Sequence, residues 1–160
     1  MPLQRISNKL IHYCLIGECM WELLRTRRAL LHRPFEETAR VLNRPLPSIQ
    51  APTDPERIVR RVRGALGSIR RRVPWKPTCL VRAVAANRVL ARRMVASNLV
   101  LSVTPASGKT VDAHAWLEAG ELVVTGLGEK VKYVPIYTFS NARVEDERDT
   151  FAERARPCSH

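Results

Sequence analysis

Residues 78–118 read TCLVRAVAANRVLARRMVASNLVLSVTPASGKTVDAHAWLE, and they predict both a fold class and a candidate chemistry. Apolar residues recur every three or four positions in the first part, which predicts a helix. Residues 98–104 and 111–117 then alternate as strands do, with a loop at 105–110 between them. A tight turn at Ala119–Gly120 and a third strand over 122–125 follow. A helix followed by antiparallel strands predicts an α+β fold.

The start of this helix carries a cysteine. Pro77 cannot continue a preceding helix, and Thr78 is a good N-cap, so Cys79 is expected in the first helical turn. The unpaired backbone amides and the helix dipole at that end favour negative charge. Because the thiolate is the nucleophilic form of cysteine, this position predicts a candidate nucleophile.

A histidine in the second predicted strand is the candidate base. The strand period of two puts His114, Trp116 and Glu118 on one face. Small residues flank His114, so we expect the N-terminus of the Cys79 helix to lie over the face that carries the imidazole. Two structural alternatives stay open: Cys79 as a small buried hydrophobe and His114 as a core histidine. Trp116 likewise either shields an active-site hydrogen bond or is a core aromatic residue.

The segments PTCLVRAVAANRVLARR, LVLSVT and DAHAWLEAGELVVTG resemble the catalytic core of the transglutaminase-like cysteine peptidases. More closely, they resemble the leader peptidases of lasso peptide biosynthesis, the microcin-processing family. The resemblance covers roughly residues 73–139, about half of the chain, and rests on the C-L-V-R-A helix start and the A-H-A-W strand in this order. It implies a transglutaminase-like, papain-like core with the catalytic Cys at a helix N-terminus, packed on a small antiparallel sheet, with extra N-terminal helices.

The resemblance also implies a reaction and its partners. Cys79 would attack a peptide carbonyl, and His114 would hold the thiolate and then protonate the leaving amine. Backbone amides near the start of the Cys79 helix would meet the oxyanion. The implied substrate is a precursor peptide, cut between its leader and its core. The implied partners are this precursor and a separate leader-recognition protein, with the lasso cyclase as a further candidate; no cofactor is implied. Acyl transfer on the same scaffold stays open.

The third catalytic residue departs from the family pattern. That pattern usually places an acidic residue on the strand after the histidine, where it orients the imidazole. With a turn at Ala119–Gly120, the position opposite His114 is Thr125, which is not a carboxylate. We favour Glu129, with Asp112 on the histidine's own strand as the alternative. Orientation by Thr125 or by a backbone carbonyl, or a catalytic dyad, also stays open.

The whole chain is organised around this core. We expect an N-terminal helical region and Pro-rich connector at 1–52, the catalytic core at 53–139, and a charged, flexible tail at 140–160. Helices are predicted in 1–32, 34–42 and 55–72, the last opened by Thr53 with Glu56 in a capping box. A further strand is predicted over 131–139, and Pro135 restricts it to an edge of the sheet or to a break.

The high positive charge suggests which kinds of partner the protein binds. The net charge is +12, with arginines concentrated in 25–33, 57–72 and 82–93, so we expect exposed basic faces that attract anionic partners. A non-enzymatic nucleic-acid-binding or protein-binding module is the alternative function. Aromatic residues are only 6% of the chain and are not interleaved with the arginines, which disfavours nucleic acid.

The cysteines predict the compartment. The spacing of Cys14, Cys19, Cys79 and Cys158 matches no zinc pattern and predicts no metal site, so a reducing cytoplasm fits best. The N-terminal apolar pattern is interrupted by charges and is too short for a membrane span, which needs about 20 apolar residues.

Overall fold

The computed structural model describes residues 2–47, 52–70, 73–104, 112–126 and 133–142, with side chains from residue 9 onward. Within these ranges, four helices precede four strands. They are α1 (Pro2–His32), α2 (Phe35–Leu42), α3 (Pro55–Arg70), α4 (Cys79–Ala91), β1 (Asn98–Val103), β2 (Ala113–Ala119), β3 (Leu122–Thr125) and β4 (Val134–Ser140). This architecture confirms the predicted α+β class. The predicted tail lies outside the described residues from 143 onward.

The strands form one antiparallel sheet in the order β3-β2-β1-β4. β4 pairs with β1 at the edge, as predicted for a strand that contains Pro135, and the register shifts opposite Leu101 and Ser102. The hairpin between β2 and β3 differs from the prediction. Ala119 pairs with Leu122, so Gly120 and Glu121 form the turn, and Gly120 adopts φ +55°. β2 therefore ends two residues later than predicted.

The helices cover one face of the sheet. α4 contacts β1, β2 and β3, α3 contacts β3, and α1 packs on the outer side of α3 and α4. Leu23 of α1 belongs to the same buried cluster as Leu99 and Leu117 of the sheet. The N-terminal helix and the strands consequently share one hydrophobic core.

The helix starts show how local sequence fixes the elements. At α4, the hydroxyl oxygen of Thr78 accepts a hydrogen bond from Val81 N at 3.3 Å, which confirms the predicted N-cap. At α3 the predicted cap was wrong. Asp54, not Thr53, caps this helix, because its Oδ1 accepts from Arg57 N at 2.9 Å.

A buried ion cluster joins α1 to α4. Glu22 is fully buried, and its Oε1 lies 2.8 Å from Arg92 and its Oε2 3.8 Å from Arg88. Glu18 accepts from Arg92 at 3.0 Å and forms a bidentate pair with Arg93. Arg88, Arg92 and Arg93 are therefore paired with carboxylates rather than free to bind anionic partners, although the Arg92 side chain stays 43% exposed. They hold the two helices together because carboxylates on α1 face them.

Among the residues that the structure describes, no helix is both long enough and apolar enough to cross a membrane.

Candidate active site

Cys79 is the first residue of α4, directly after the Thr78 cap. Its thiol is free and half-buried, and it packs against the edge of the hydrophobic core. Arg82 N donates to Thr78 O at 3.1 Å, which closes the first helical turn. By helix geometry, the amides of Cys79 and Leu80 have no acceptor within α4. The thiol thus lies beside two backbone donors and the positive end of the helix dipole.

The direction of α4 places Cys79 at the end of the sheet where His114 lies. Residues 94–96, just after α4, line one cavity with residues 119–122 at the end of β2. Asn87 Nδ2 donates to Ser97 Oγ at 3.1 Å and fixes the connection from α4 to β1. α4 and β2 therefore run in the same direction, and both are about 20 Å long. Cys79 lies toward the start of β2, where His114 is the second residue.

The face of β2 that α4 covers differs from the expectation. Ala115, Leu117 and Ala119 belong to the buried cluster that contains α4, whereas His114, Trp116 and Glu118 point to the other face. The small alanine side chains allow the helix to approach the sheet closely, which Trp116 would prevent. Because β3 pairs only with residues 117–119 of β2, the described part of β3 ends before His114. The imidazole therefore lies on the face of β2 opposite α4, at the end of the strand where the N-terminus of α4 lies.

Tyr133 and Asp112 border the candidate base. The ring of Tyr133 stacks on His114, with centroids 4.8 Å apart, and its hydroxyl donates to Asp112 Oδ2 at 2.8 Å. On the neighbouring strand, Ser102 Oγ donates to the backbone carbonyl of His114 at 3.0 Å. The imidazole is thus held between a stacked phenol and a fixed strand backbone, and it is only partly exposed.

Gly126 makes room for the histidine ring. Its φ is +82°, and a Cβ at this position would lie 2.5 Å from Trp116 Cβ and 3.2 Å from His114 Nε2. Glycine is therefore required here both by backbone conformation and by the close approach of β2. Gly126, the residue directly after β3, therefore lies against the imidazole of His114.

Comparison with known proteins decides the family. Residues 20–138, well over half of the 160-residue chain, match the model of the transglutaminase-like superfamily. The chain belongs to this superfamily. The same comparisons found no matching curated protein and no matching solved structure. The transglutaminase-like superfamily includes cysteine peptidases, and the described α+β layers fit a transglutaminase-like domain.

Three residues were considered as the third catalytic residue of this transglutaminase-like site, and the structure treats each differently. Glu129 lies outside the described residues. Thr125 pairs with Leu117 rather than lying opposite His114, because the turn falls one residue later than predicted and the β2–β3 register also shifts between Leu117 and Glu118. Asp112 lies on the histidine's own side of the sheet and is bound by Tyr133. Within the described residues, Asp112 is thus linked to the histidine, and the link passes through Tyr133.

Two neighbours of His114 were not singled out from the sequence. Tyr133 lies just before β4, where only an edge strand was predicted, and no local pattern marked it as a neighbour of β2. The sequence signal at Gly126 is a second glycine two positions on, Gly128, a spacing that suggests a bend. Trp116 is buried, and its Nε1 donates to Glu118 Oε1 at 2.7 Å, so its polar atom is satisfied on the same face.

The other cysteines differ from Cys79 in their surroundings. Burial raises the pKa of the Cys19 thiol to about 12, so this side chain stays a neutral core residue. Cys14 is exposed on α1, and Cys158 lies outside the described residues. Among the three described cysteines, only Cys79 combines partial exposure with a helix N-terminus.

Proposed function

We propose that this transglutaminase-like protein is a cysteine peptidase in which Cys79 is the nucleophile and His114 the base. One observation carries the proposal: Cys79 opens a Thr78-capped helix whose N-terminus lies at the same end of the layers as His114. The helix end supplies backbone amides that can serve as oxyanion donors beside the Cys79 sulfur. Membership of a superfamily that includes cysteine peptidases supports this assignment.

The proposed reaction follows from these groups. Cys79 Sγ bonds to the peptide carbonyl carbon, and the oxyanion accepts hydrogen bonds from the amides of Cys79 and Leu80. The carbon–nitrogen bond then breaks as the His114 imidazolium gives its proton to the leaving amine. Water attacks the thioester, its proton passes to His114, and the carbonyl fragment leaves as a carboxylic acid while the thiolate is restored.

The proposed substrate is the precursor of a lasso peptide, cut between its leader and its core. The C-L-V-R-A helix start and the A-H-A-W strand support this choice by resemblance. The proposal includes a separate leader-recognition protein that presents the precursor, with the lasso cyclase as a further partner that uses the freed core amine. The third catalytic group in this proposal is Glu129, with Asp112 as the alternative.

The non-enzymatic alternative loses part of its basis. It depended on exposed arginine faces, yet Arg88, Arg92 and Arg93 are engaged by Glu18 and Glu22. Their positive charges therefore pair with carboxylates of α1 and hold α1 against α4.

The test is cleavage of a precursor peptide by the protein and its leader-recognition partner, followed by mass spectrometry. We expect one cut at the junction between leader and core with the wild type, and no cut with Cys79→Ala or His114→Ala. Cys14→Ala, which removes an exposed thiol on α1, should cut normally. Full activity of the Cys79→Ala variant would refute the proposal. A loss with Glu129→Gln but not Asp112→Asn would identify the third residue.

A further inference from the structure

A cationic cavity lies between α1 and α4, away from Cys79 and His114. Its volume is about 400 Å³, and five of its six lining residues are basic. They are Arg25, Arg28, His32, Arg33 and Arg88, with Ala29 completing the lining. A cavity lined in this way attracts anionic groups.

A second cavity adjoins the first and shares Arg25 and Arg88 with it. This one measures about 580 Å³ and is bounded by the connector after α2. Its lining includes the aliphatic residues Val41 and Leu46 as well as Arg44. We call the two neighbouring cavities, joined by the shared walls Arg25 and Arg88, the arginine groove. One cavity is mainly cationic, and the other is apolar with cationic walls.

The groove carries more positive charge than the chain itself neutralises. Glu22 is shared by three guanidinium groups, those of Arg25, Arg88 and Arg92. Arg28 and Arg44 have no ion pair with any residue in the described part of the chain. An incoming carboxylate would thus meet guanidinium groups that lack a counter-charge of their own.

The shape and lining of the groove favour a peptide. None of the described residues that line either cavity is Phe, Tyr or Trp, so the groove has no aromatic platform on which bases could stack. Aliphatic and proline side chains between arginines instead suit a chain in which apolar residues alternate with carboxylates. Residues 25–32 of α1 alone extend about 12 Å, enough for roughly four residues of extended peptide.

We propose that the arginine groove binds an acidic segment of a partner protein, one that carries aliphatic residues between its carboxylates. A second copy of this chain is a poor occupant, because each copy carries a net charge of +12. The chain's own tail is also a poor match, since residues 143–160 contain five acidic residues and four arginines. The groove is separate from the candidate active site, so this proposal does not depend on the proposed peptidase activity.

The test uses a fluorescein-labelled peptide with the repeat Glu-Asp-Leu, about twelve residues long, and fluorescence anisotropy with the full-length protein. A control peptide has Gln and Asn in place of the acids. We expect the acidic peptide to bind and the neutral control peptide not to bind. The double variant Arg28→Glu with Arg44→Glu should weaken binding roughly tenfold or more.

The matched control reverses the same number of charges elsewhere. Arg57 and Arg63 are exposed on α3 and do not line the groove, so Arg57→Glu with Arg63→Glu should change the affinity less than about twofold. Equal losses in the two double variants would show that only net charge matters and would overturn the proposal. Circular dichroism would verify that both variants are folded.

Two further measurements test whether the chain's own tail or a nucleic acid binds in the arginine groove instead. Replacing Glu145, Asp146, Glu147 and Asp149 by their amides should leave probe affinity unchanged. A marked gain in affinity would show that the tail occupies the groove, against the proposal. A labelled single-stranded RNA of the same length should bind more weakly than the acidic peptide, and tighter RNA binding that is lost in the groove variant would also overturn it.

Discussion

The ring of Tyr133 stacks on the imidazole of His114, with the centroids 4.8 Å apart and the planes at 25°. The same tyrosine donates its hydroxyl to Asp112. Tyr133 therefore connects a carboxylate to the candidate base, although it precedes β4 and lies far from both in sequence.

Substitutions at Tyr133 should separate these two contacts. Tyr133→Phe keeps the stacked ring and removes the hydrogen bond to Asp112, so we expect a loss of a few fold in the rate of precursor cleavage. Tyr133→Ala also frees the imidazole from its stacking partner and should cost roughly tenfold or more, because a base must be held in its productive orientation. Single-turnover cleavage rates measure both; equal rates for Phe and Ala would contradict a role for stacking.

Gly126 should tolerate no side chain. Gly126→Ala must accommodate a Cβ 2.5 Å from Trp116 Cβ at φ +82°, so we expect the free energy of unfolding to fall by about 1–3 kcal/mol. Urea denaturation followed by circular dichroism measures this change. Gly67→Ala is the control: it lies in α3 with nothing within 4 Å of the new Cβ, and it should stabilise the protein by up to about 1 kcal/mol. Similar effects at both sites would show that the contact at Gly126 is not real.

The buried carboxylate on α1 should be a major determinant of stability. Glu22→Gln removes the counter-charge of Arg88 and one of the two carboxylates that pair with Arg92, and we expect the free energy of unfolding to fall by roughly 3 kcal/mol. Glu37→Gln provides the comparison, since Glu37 pairs with Arg33 on the surface and should contribute less than about 1 kcal/mol. A Glu22 variant as stable as the Glu37 variant would show that α1 does not dock through this cluster.

Glu18 predicts an acid-labile contribution to stability. Hydrogen bonds from Arg93 lower the pKa of Glu18 below its usual value of 4.5, against the opposing effect of its partial burial. Because the folded pKa is the lower one, the stabilisation is complete above the unfolded value and is lost as the pH falls through the folded pKa. Wild type should therefore exceed Glu18→Gln in unfolding free energy at neutral pH. This difference should shrink below about pH 4.5, and a difference that is constant with pH would contradict the ion pair.

Local sequence was sufficient for much of the fold. Thr78 was predicted as the cap of α4 because a hydroxyl before an apolar helical pattern has one good partner, the amide three residues on. At α3 the same reasoning chose Thr53, yet Asp54 is the cap, because two adjacent side chains could both serve and only the path of the chain decides.

Contacts between residues far apart in the sequence were harder to predict. The pairing of β2 with β3 depends on a turn at Gly120–Glu121, one residue later than predicted, and on a bulge between Leu117 and Glu118 that no residue type in the sequence indicates. Thr125 was therefore wrongly placed opposite His114. The face of β2 under α4 was assigned wrongly because the small residues that flank His114, Ala113 and Ala115, lie on the face opposite its ring, and α4 covers that face. Glu18 and Glu22 appeared only as charges interrupting an apolar helix, since their arginine partners lie about 70 positions away.

The reactivity of Cys79 toward iodoacetamide at pH 7, followed by peptide mapping, tests the central claim without any knowledge of the substrate. If Cys79 is a nucleophile supported by the helix end and by His114, it should be alkylated faster than the more exposed Cys14, while Cys19 stays unmodified. His114→Ala should slow Cys79 to the rate of Cys14 or below. If Cys79 reacts more slowly than Cys14 and His114→Ala changes nothing, Cys79 and His114 are structural residues and the peptidase assignment fails.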